Sequence, residues 1–229
     1  MTPSGIARVF AISPHLDDAV LSAGSFLSRH PGAVVATVFA GFPPAYARPP
    51  LEWDADCGFA EGDDVVALRR EEDRRALAHL GAQPLWLDFL DSQYAEDDRP
   101  SAEAIADELI ASVRRARPDT IAFPLGLDHA DHRLTHEACR LLLDNERDIA
   151  AHWLLWADIP YRIHFADEHE QKLAGLRAGG YDLEAATIDV DDAKRRALDE
   201  YPTQLRGLGP AALENALLPE QVYFVVGAR

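Results

Sequence analysis

A histidine and two adjacent carboxylates stand together in Ser13-Pro14-His15-Leu16-Asp17-Asp18. The imidazole and one carboxylate can bind a metal ion while the second carboxylate moves a proton. The same aspartates can instead cap the helix after them and complement its dipole. A second concentration lies at Leu125-Gly126-Leu127-Asp128-His129-Ala130-Asp131-His132-Arg133. One histidine from it, joined to His15 and Asp18, makes a two-histidine, one-carboxylate set with an open position for water, the pattern of a catalytic zinc site. Spacing alone does not select that histidine. His132 and His136 stand at i, i+4, a pairing that metalloenzymes use, whereas His129 and His132 do not readily both point at one ion from an ordinary tight turn, though a bent loop could allow it. Surface histidines capping a helix are the plain alternative.

Both segments come directly after apolar runs. Ala7 to Ile12 reads as a strand buried on both faces. Ala19 to Arg29 reads as a helix with Val20, Ala23, Phe26 and Leu27 on one stripe, ended by His30-Pro31-Gly32. Further strands are expected at Ala33 to Ala40, Gln83 to Phe89 and Thr120 to Pro124. Helices over Val65 to Leu80 and Ala102 to Arg115 separate them, the second with Ser101 as N-cap. This alternation predicts an α/β fold, a Rossmann-like, doubly wound, mostly parallel sheet with helices on both faces. In such a sheet the turns after strands one and four open onto the same rim.

Between these elements, 41–64 holds Pro43, Pro44, Pro49 and Pro50 and shows no clear periodicity. A loop of that length is a lid, a substrate wall or a mobile insertion. The charge run in Val65 to Leu80 reads as a solvated face, and Asp91 to Pro100 as a polar loop. Beyond residue 150, His152 to Ala157 reads as a fifth strand and Leu183 to Val190 as a strand of a small terminal sheet. Asp191 to Tyr201 reads as a helix stopped by Pro202, and Gln221 to Val226 as a final strand. His164 and His169 read as ordinary histidines. No linker divides the chain, so one domain over 1–229 is expected.

The 229 residues include 22 basic and 39 acidic side chains, a net charge of −17 that repels a phosphate backbone and argues against nucleic-acid or anionic-membrane partners. A hydrophobic share of 48% supports a sizeable core. Cys57 and Cys139 are far apart and form no CxxC, so neither a disulfide framework nor a thiolate zinc site is expected. No apolar run reaches the roughly 18 residues of a membrane span. Met1 to Gly5 lacks a basic start leading into a signal-type apolar core. A cytoplasmic location is the resulting expectation. The first turn carries no GxGxxG and the chain no GxSxG, which disfavours a dinucleotide site and a serine nucleophile.

PHLDD after the first strand with HADHR after a later one resembles the PIG-L/LmbE family of zinc-dependent de-N-acetylases, whose signatures are written P-H-x-D-D and H-x-D-H. Leu68-Arg69-Arg70-Glu71-Glu72, Ala76 and Leu80-Gly81 resemble its R-x-x-E…A…L-G helix, and the likeness spans about residues 7 to 140. The Tyr201-Pro202-Thr203-Gln204 segment is similar to the family's closing region. Two departures are Ala19, where the family often has Glu, and Gly24-Ser25, where it often has two glycines.

The resemblance implies that His15, Asp18 and His132 bind one zinc ion (Zn2+) per chain and that Asp17 is the general base. His129, as a histidinium, would stabilise the tetrahedral intermediate and could also protonate the leaving amine, and Asp131 would orient a neighbouring histidine. Arg69 and Asp91 would face the substrate, a small N-acetylated sugar or glycoconjugate. Homo-oligomer formation is left open. Two other readings of the same fold are an amidase acting on a thiol conjugate and a non-catalytic metal- or carbohydrate-binding protein. Asp17 disfavours the latter, since a pure metal binder needs no spare base.

Overall fold

The computed structural model of the chain describes residues 5–95 and 99–228. Met1 to Ser4, read above for a leader, and the middle of the Asp91–Pro100 loop lie outside the described residues. The strands are β1 (Val9–Ser13), β2 (Val34–Thr37), β3 (Gln83–Trp86), β4 (Thr120–Pro124), β5 (His152–Trp156), β6 (Tyr181–Ile188) and β7 (Glu220–Ala228). They form one seven-stranded sheet in the order β3-β2-β1-β4-β5-β7-β6. β1 to β5 pair in parallel, whereas β7 runs antiparallel beside β5 and β6 antiparallel beside β7. The strand expected over Leu183 to Val190 therefore extends the main sheet rather than building a small terminal one.

The helices are α1 (Asp18–Ser28), α2 (Glu52–Asp56), α3 (Val65–His79), α4 (Ser92–Ala95), α5 (Ala102–Ala116) and α6 (Ala130–Asn145), then α7 (Tyr161–His164), α8 (Ala166–Ala178), α9 (Asp192–Leu198), α10 (Pro202–Leu208) and α11 (Ala211–Ala216). α7 and α8 fill a stretch where no element is predicted. The α2 and α4 helices interrupt segments that read as loops. No helix among the described residues is long and apolar enough to cross a membrane.

The run of buried residues in β1 is used on both faces. Phe10 and Ile12 join one core with Ile105, Leu109 and Leu142, while Val9 and Ala11 join the other with Val20, Phe26 and Leu77. Because β1 lies between β2 and β4, the chain's direction of travel reverses there, and the crevice of a doubly wound sheet opens at that switch. The turns after β1 and β4 meet in it.

Two charged features are tied into the core. Ala23 breaks α1 with φ −141° and ψ 21°, which frees amides beyond it. Glu220, at the start of β7, accepts from Ser25 N–H at 2.6 Å and Phe26 N–H at 2.9 Å. Lys194 Nζ donates to Leu21 O at 2.8 Å and pairs with Glu220 at 2.9 Å. Both side chains are buried, and removing one partner of such a pair typically costs about 3–5 kcal/mol.

The α3 charges bear out the solvated face only in part, at Arg74 and Arg75, which are exposed. Arg69, Glu72 and Asp73 are all buried, whereas Leu68 is exposed. Their partners lie outside the helix, so helical periodicity does not show the burial. Glu72 accepts from Thr203 Oγ1 at 2.6 Å and Thr203 N–H at 3.3 Å, holding the first turn of α10. Asp73 accepts from Trp86 Nε1 at 2.8 Å and Tyr201 Oη at 3.0 Å.

Burial pushes the Asp73 carboxyl up to about 7, against the pull of the Trp86 and Tyr201 hydrogen bonds. An unfolded aspartate titrates near 3.9. Between about pH 4 and 7 the folded state therefore holds the extra proton, and this contribution to stability falls as pH rises through that window. Asp73→Asn can keep both bonds, its oxygen accepting from Trp86 and its amide donating to Tyr201. Thermal unfolding at pH 5 and pH 8 should show a smaller loss of stability for Asp73→Asn than for the wild type. Parallel curves would exclude Asp73 as the titrating group.

Candidate active site

Ser13, the last residue of β1, ties the first turn. Its hydroxyl donates to His15 O at 2.7 Å and accepts from Ala19 N–H at 3.0 Å. Asp18 folds back, and its Oδ2 accepts from His15 N–H at 2.9 Å. Asp17 occupies the N-cap position of α1 without capping it. Among the described residues nothing donates to its carboxylate, which lines a cavity of about 430 Å³. Neither aspartate therefore caps α1 through its side chain, although Asp18 lies in the first turn, where its charge suits the helix dipole.

The second turn leaves β4 through Gly126, at φ +79°. A Cβ there would lie 2.5 Å from His136 Cβ, so only glycine lets the turn cross α6 this closely. Asp128 comes next but one, at φ 54°, and His129 then caps α6, its Nδ1 accepting from Asp131 N–H at 3.2 Å.

The two turns meet at one oxygen. Asp18 Oδ2 is 3.2 Å from His15 Nδ1 and 3.1 Å from His132 Nε2. The far nitrogen of each ring also meets a carboxylate. His15 Nε2 is 3.2 Å from Asp131 Oδ2 and 3.9 Å from Asp91 Oδ2, and His132 Nδ1 is 2.8 Å from Asp158 Oδ1. His129 is close enough that ring nitrogens of His15, His129 and His132 lie within 4.8 Å of one another. His136 is not in the group; it is buried beside the Phe123 ring, with its Nδ1 donating to Pro124 O at 3.0 Å.

The donor set fits a divalent metal. Two imidazoles and a carboxylate are the usual partners of catalytic zinc. The gaps of 3.1 and 3.2 Å about Asp18 Oδ2 approach the roughly 3.4 Å edge of a tetrahedron with bonds of about 2.1 Å. A second group, His15, Asp91 and Asp131, shares the other nitrogen of His15. Asp131 is already engaged there, by Arg99 on Oδ1 and by Ser92 N–H at 3.1 Å on Oδ2.

The electrostatics separate the two aspartates. Burial and the adjacent Asp18 push Asp17 up to about 7, against the pull of His15, His132 and Arg69. Burial would also raise Asp18, but the charges and hydrogen bonds of His132 and His15 hold it well below the usual carboxylate range. Two carboxyls pushed apart in this way can take different roles. Burial works to lower His132, and Asp18 and Asp158 reverse this, raising it to about 9. Burial and the charges of His15 and His132 lower His129. With Nδ1 accepting from Asp131 N–H, Nε2 is the ring nitrogen that can donate into the cavity.

Arg69 and Asp91 both line the cavity. Arg69 Nη2 is held by Asp54 at 3.2 Å and Cys57 at 3.3 Å. The 41–64 stretch is a packed wall. Tyr46 Oη donates to Asp64 at 2.7 Å and accepts from Val66 N–H at 3.0 Å, and Trp53 packs beside Cys57, Phe59 and Val65. Asp158, Tyr161 and Trp53 are site residues that the sequence motifs do not include. The one signal for Asp158 is an acidic residue just past an apolar strand, at the rim where the two motifs lie. Tyr161 sets its ring edge-on to His132, with centroids 5.0 Å apart.

A family model described as PIG-L, GlcNAc-PI de-N-acetylase, matches residues 10–143. The 2'-N-acetylparomamine deacetylase of Niallia circulans is 30% identical over 232 residues, covering 86% of this chain and 80% of that protein. The crystal structure of the antimicrobial reagent A40926 pseudoaglycone deacetylase Dbv21 superposes with a TM-score of 0.79 at 30% identity, over 98% of this chain and 100% of the other. The zinc-inhibited form of teicoplanin deacetylase Orf2 superposes with a TM-score of 0.75 at 26% identity, over 96% and 98% of the two chains.

The matched stretch stops short of α10, which backs the wall. A Cβ on Gly207 would lie 2.6 Å from Cys57 Sγ and 3.1 Å from the Trp53 ring. Gly207→Ala should lower stability by about 1–3 kcal/mol through overpacking, measured by urea unfolding, and should alter tryptophan fluorescence. Unchanged values would show that α2 and α10 do not brace one another.

Proposed function

The chain belongs to the PIG-L family, and on that premise we propose that it is a metal-dependent hydrolase that removes the acetyl group from an N-acetylated amino sugar or glycoconjugate. The observation that carries the reading is the pairing of Asp18 Oδ2, held between His15 and His132, with a neighbouring Asp17 that accepts no hydrogen bond from the described residues. Relatives named as deacetylases support the reaction class. Residues 1–229 are read as one catalytic domain.

In this reading His15, Asp18 and His132 hold one zinc ion. They are preferred over His15, Asp91 and Asp131 because Arg99 and Ser92 already engage Asp131. Bound there, the ion would lower the pKa of water and polarise the amide carbonyl. Asp17 takes the proton from the attacking water. As the carbonyl carbon becomes tetrahedral, His129 Nε2–H donates to the developing oxyanion, a contribution typically worth about 10²–10³ in rate. The C–N bond then breaks, and the proton held by Asp17 passes to the leaving nitrogen, giving acetate and a free amine. Asp131 keeps the His15 ring in place. Arg69 and Asp91 contact the sugar, with Trp53 and Tyr161 as apolar faces of the cavity.

Asp17→Asn should bind zinc normally yet lose acetate release by about 10²–10⁴-fold, whereas His15→Ala should lose both. Metal analysis and acetate release from N-acetylglucosaminyl compounds would check this. An Asp17→Asn protein of full activity would sink the mechanism.

A further inference from the structure

We infer that Asp158 is the positioning residue of the site, one carboxylate that both orients the metal-facing nitrogen of His132 and anchors the loop that carries His129. The inference rests on the proposed role of His132 as a ligand. Asp158 stands two residues past β5 and is 0% exposed. Its Oδ1 is 2.8 Å from His132 Nδ1. Its Oδ2 accepts from Gly126 N–H at 2.9 Å and, more weakly, from Leu127 N–H at 3.4 Å. The segment is pinned in turn, because Ile159 N–H donates to Ser22 Oγ at 3.0 Å and Arg162 N–H donates to Asp158 O at 2.8 Å.

The positions of the protons decide the role. Both oxygens of Asp158 act as acceptors, so the proton between it and His132 sits on Nδ1. A neutral imidazole then has its lone pair on Nε2, the nitrogen 3.1 Å from Asp18 Oδ2. That lone pair is what a metal requires, and carboxylates placed this way behind a histidine orient metal ligands and raise their basicity. Asparagine cannot replace this pattern. With its oxygen toward His132, its NH2 group faces the Gly126 and Leu127 N–H groups. With the amide reversed, an N–H faces Nδ1 and drives the proton to Nε2, closing the metal-facing nitrogen. His15 already has Asp131 behind it, and Asp158 gives His132 the same backing from another strand.

The test is zinc affinity by chelator competition for wild type, Asp158→Asn and His132→Ala, with thermal unfolding run alongside. Asp158→Asn should bind zinc about 10–100-fold more weakly. The zinc-loaded wild type should show a low-field Nδ1–H proton resonance of His132 that shifts or vanishes in the variant. Zinc affinity within twofold of wild type for Asp158→Asn, with His132→Ala losing zinc, would overturn the role of Asp158 alone. Retention of zinc by His132→Ala would overturn the ligand reading, and this inference with it. If Asp158→Asn does not fold, the wild-type resonance decides: without a hydrogen-bonded Nδ1–H on His132, the inference fails.

Discussion

One carboxylate oxygen, Asp18 Oδ2, holds the two motif turns together. It is reached by His15 from the turn after β1 and by His132 from the first turn of α6. That convergence requires β1 and β4 to be neighbours, and the crossover of the sheet makes them so. Around it stand Asp17, Asp91, Asp131 and Asp158, more negative charge than a half-buried crevice tolerates unaided. The molecule responds locally. Asp17 is driven toward its neutral form, Asp18 is kept ionised by its histidines, and Asp131 is clamped by Arg99. A dication would relieve the same crowding at its centre.

Much of this is legible in the sequence because each motif comes directly after a short, continuous apolar run. Such runs mark buried parallel strands, and parallel strands that lie side by side deliver their succeeding turns to one rim. The missing parts have identifiable physical causes. Asp158 also stands just past an apolar run, but a lone carboxylate in a chain with 39 acidic residues is not distinctive; its meaning comes from Gly126 and His132, more than twenty positions earlier. Arg69, Glu72 and Asp73 look solvated in sequence because helix periodicity sorts residues by polarity. It cannot register that Glu72 and Asp73 find partners near residue 200. β6 reads as a separate terminal strand because much of it is not buried, which suits its place at the edge of the sheet.

The departures from the family pattern acquire a local meaning. Gly24 sits where Lys194 crosses α1, and a Cβ there would lie 2.9 Å from the lysine side chain. Ser25, in place of a second glycine, donates its N–H to Glu220 and offers Oγ to Asp191 N–H at 3.0 Å. The helix behind Asp17 and Asp18 is thus matched to α9 and β7, elements beyond the matched stretch.

The broken α1 also sets an order of events. Glu220 closes the Ser25 amide across 195 positions of chain. The helix behind the PHLDD turn is therefore completed by a residue of β7, far from it in sequence. Contacts between such distant residues form late and slow the search for the native state. The support behind the first motif is thus the most distant kind of contact the chain makes, and the site inherits the cost of closing it.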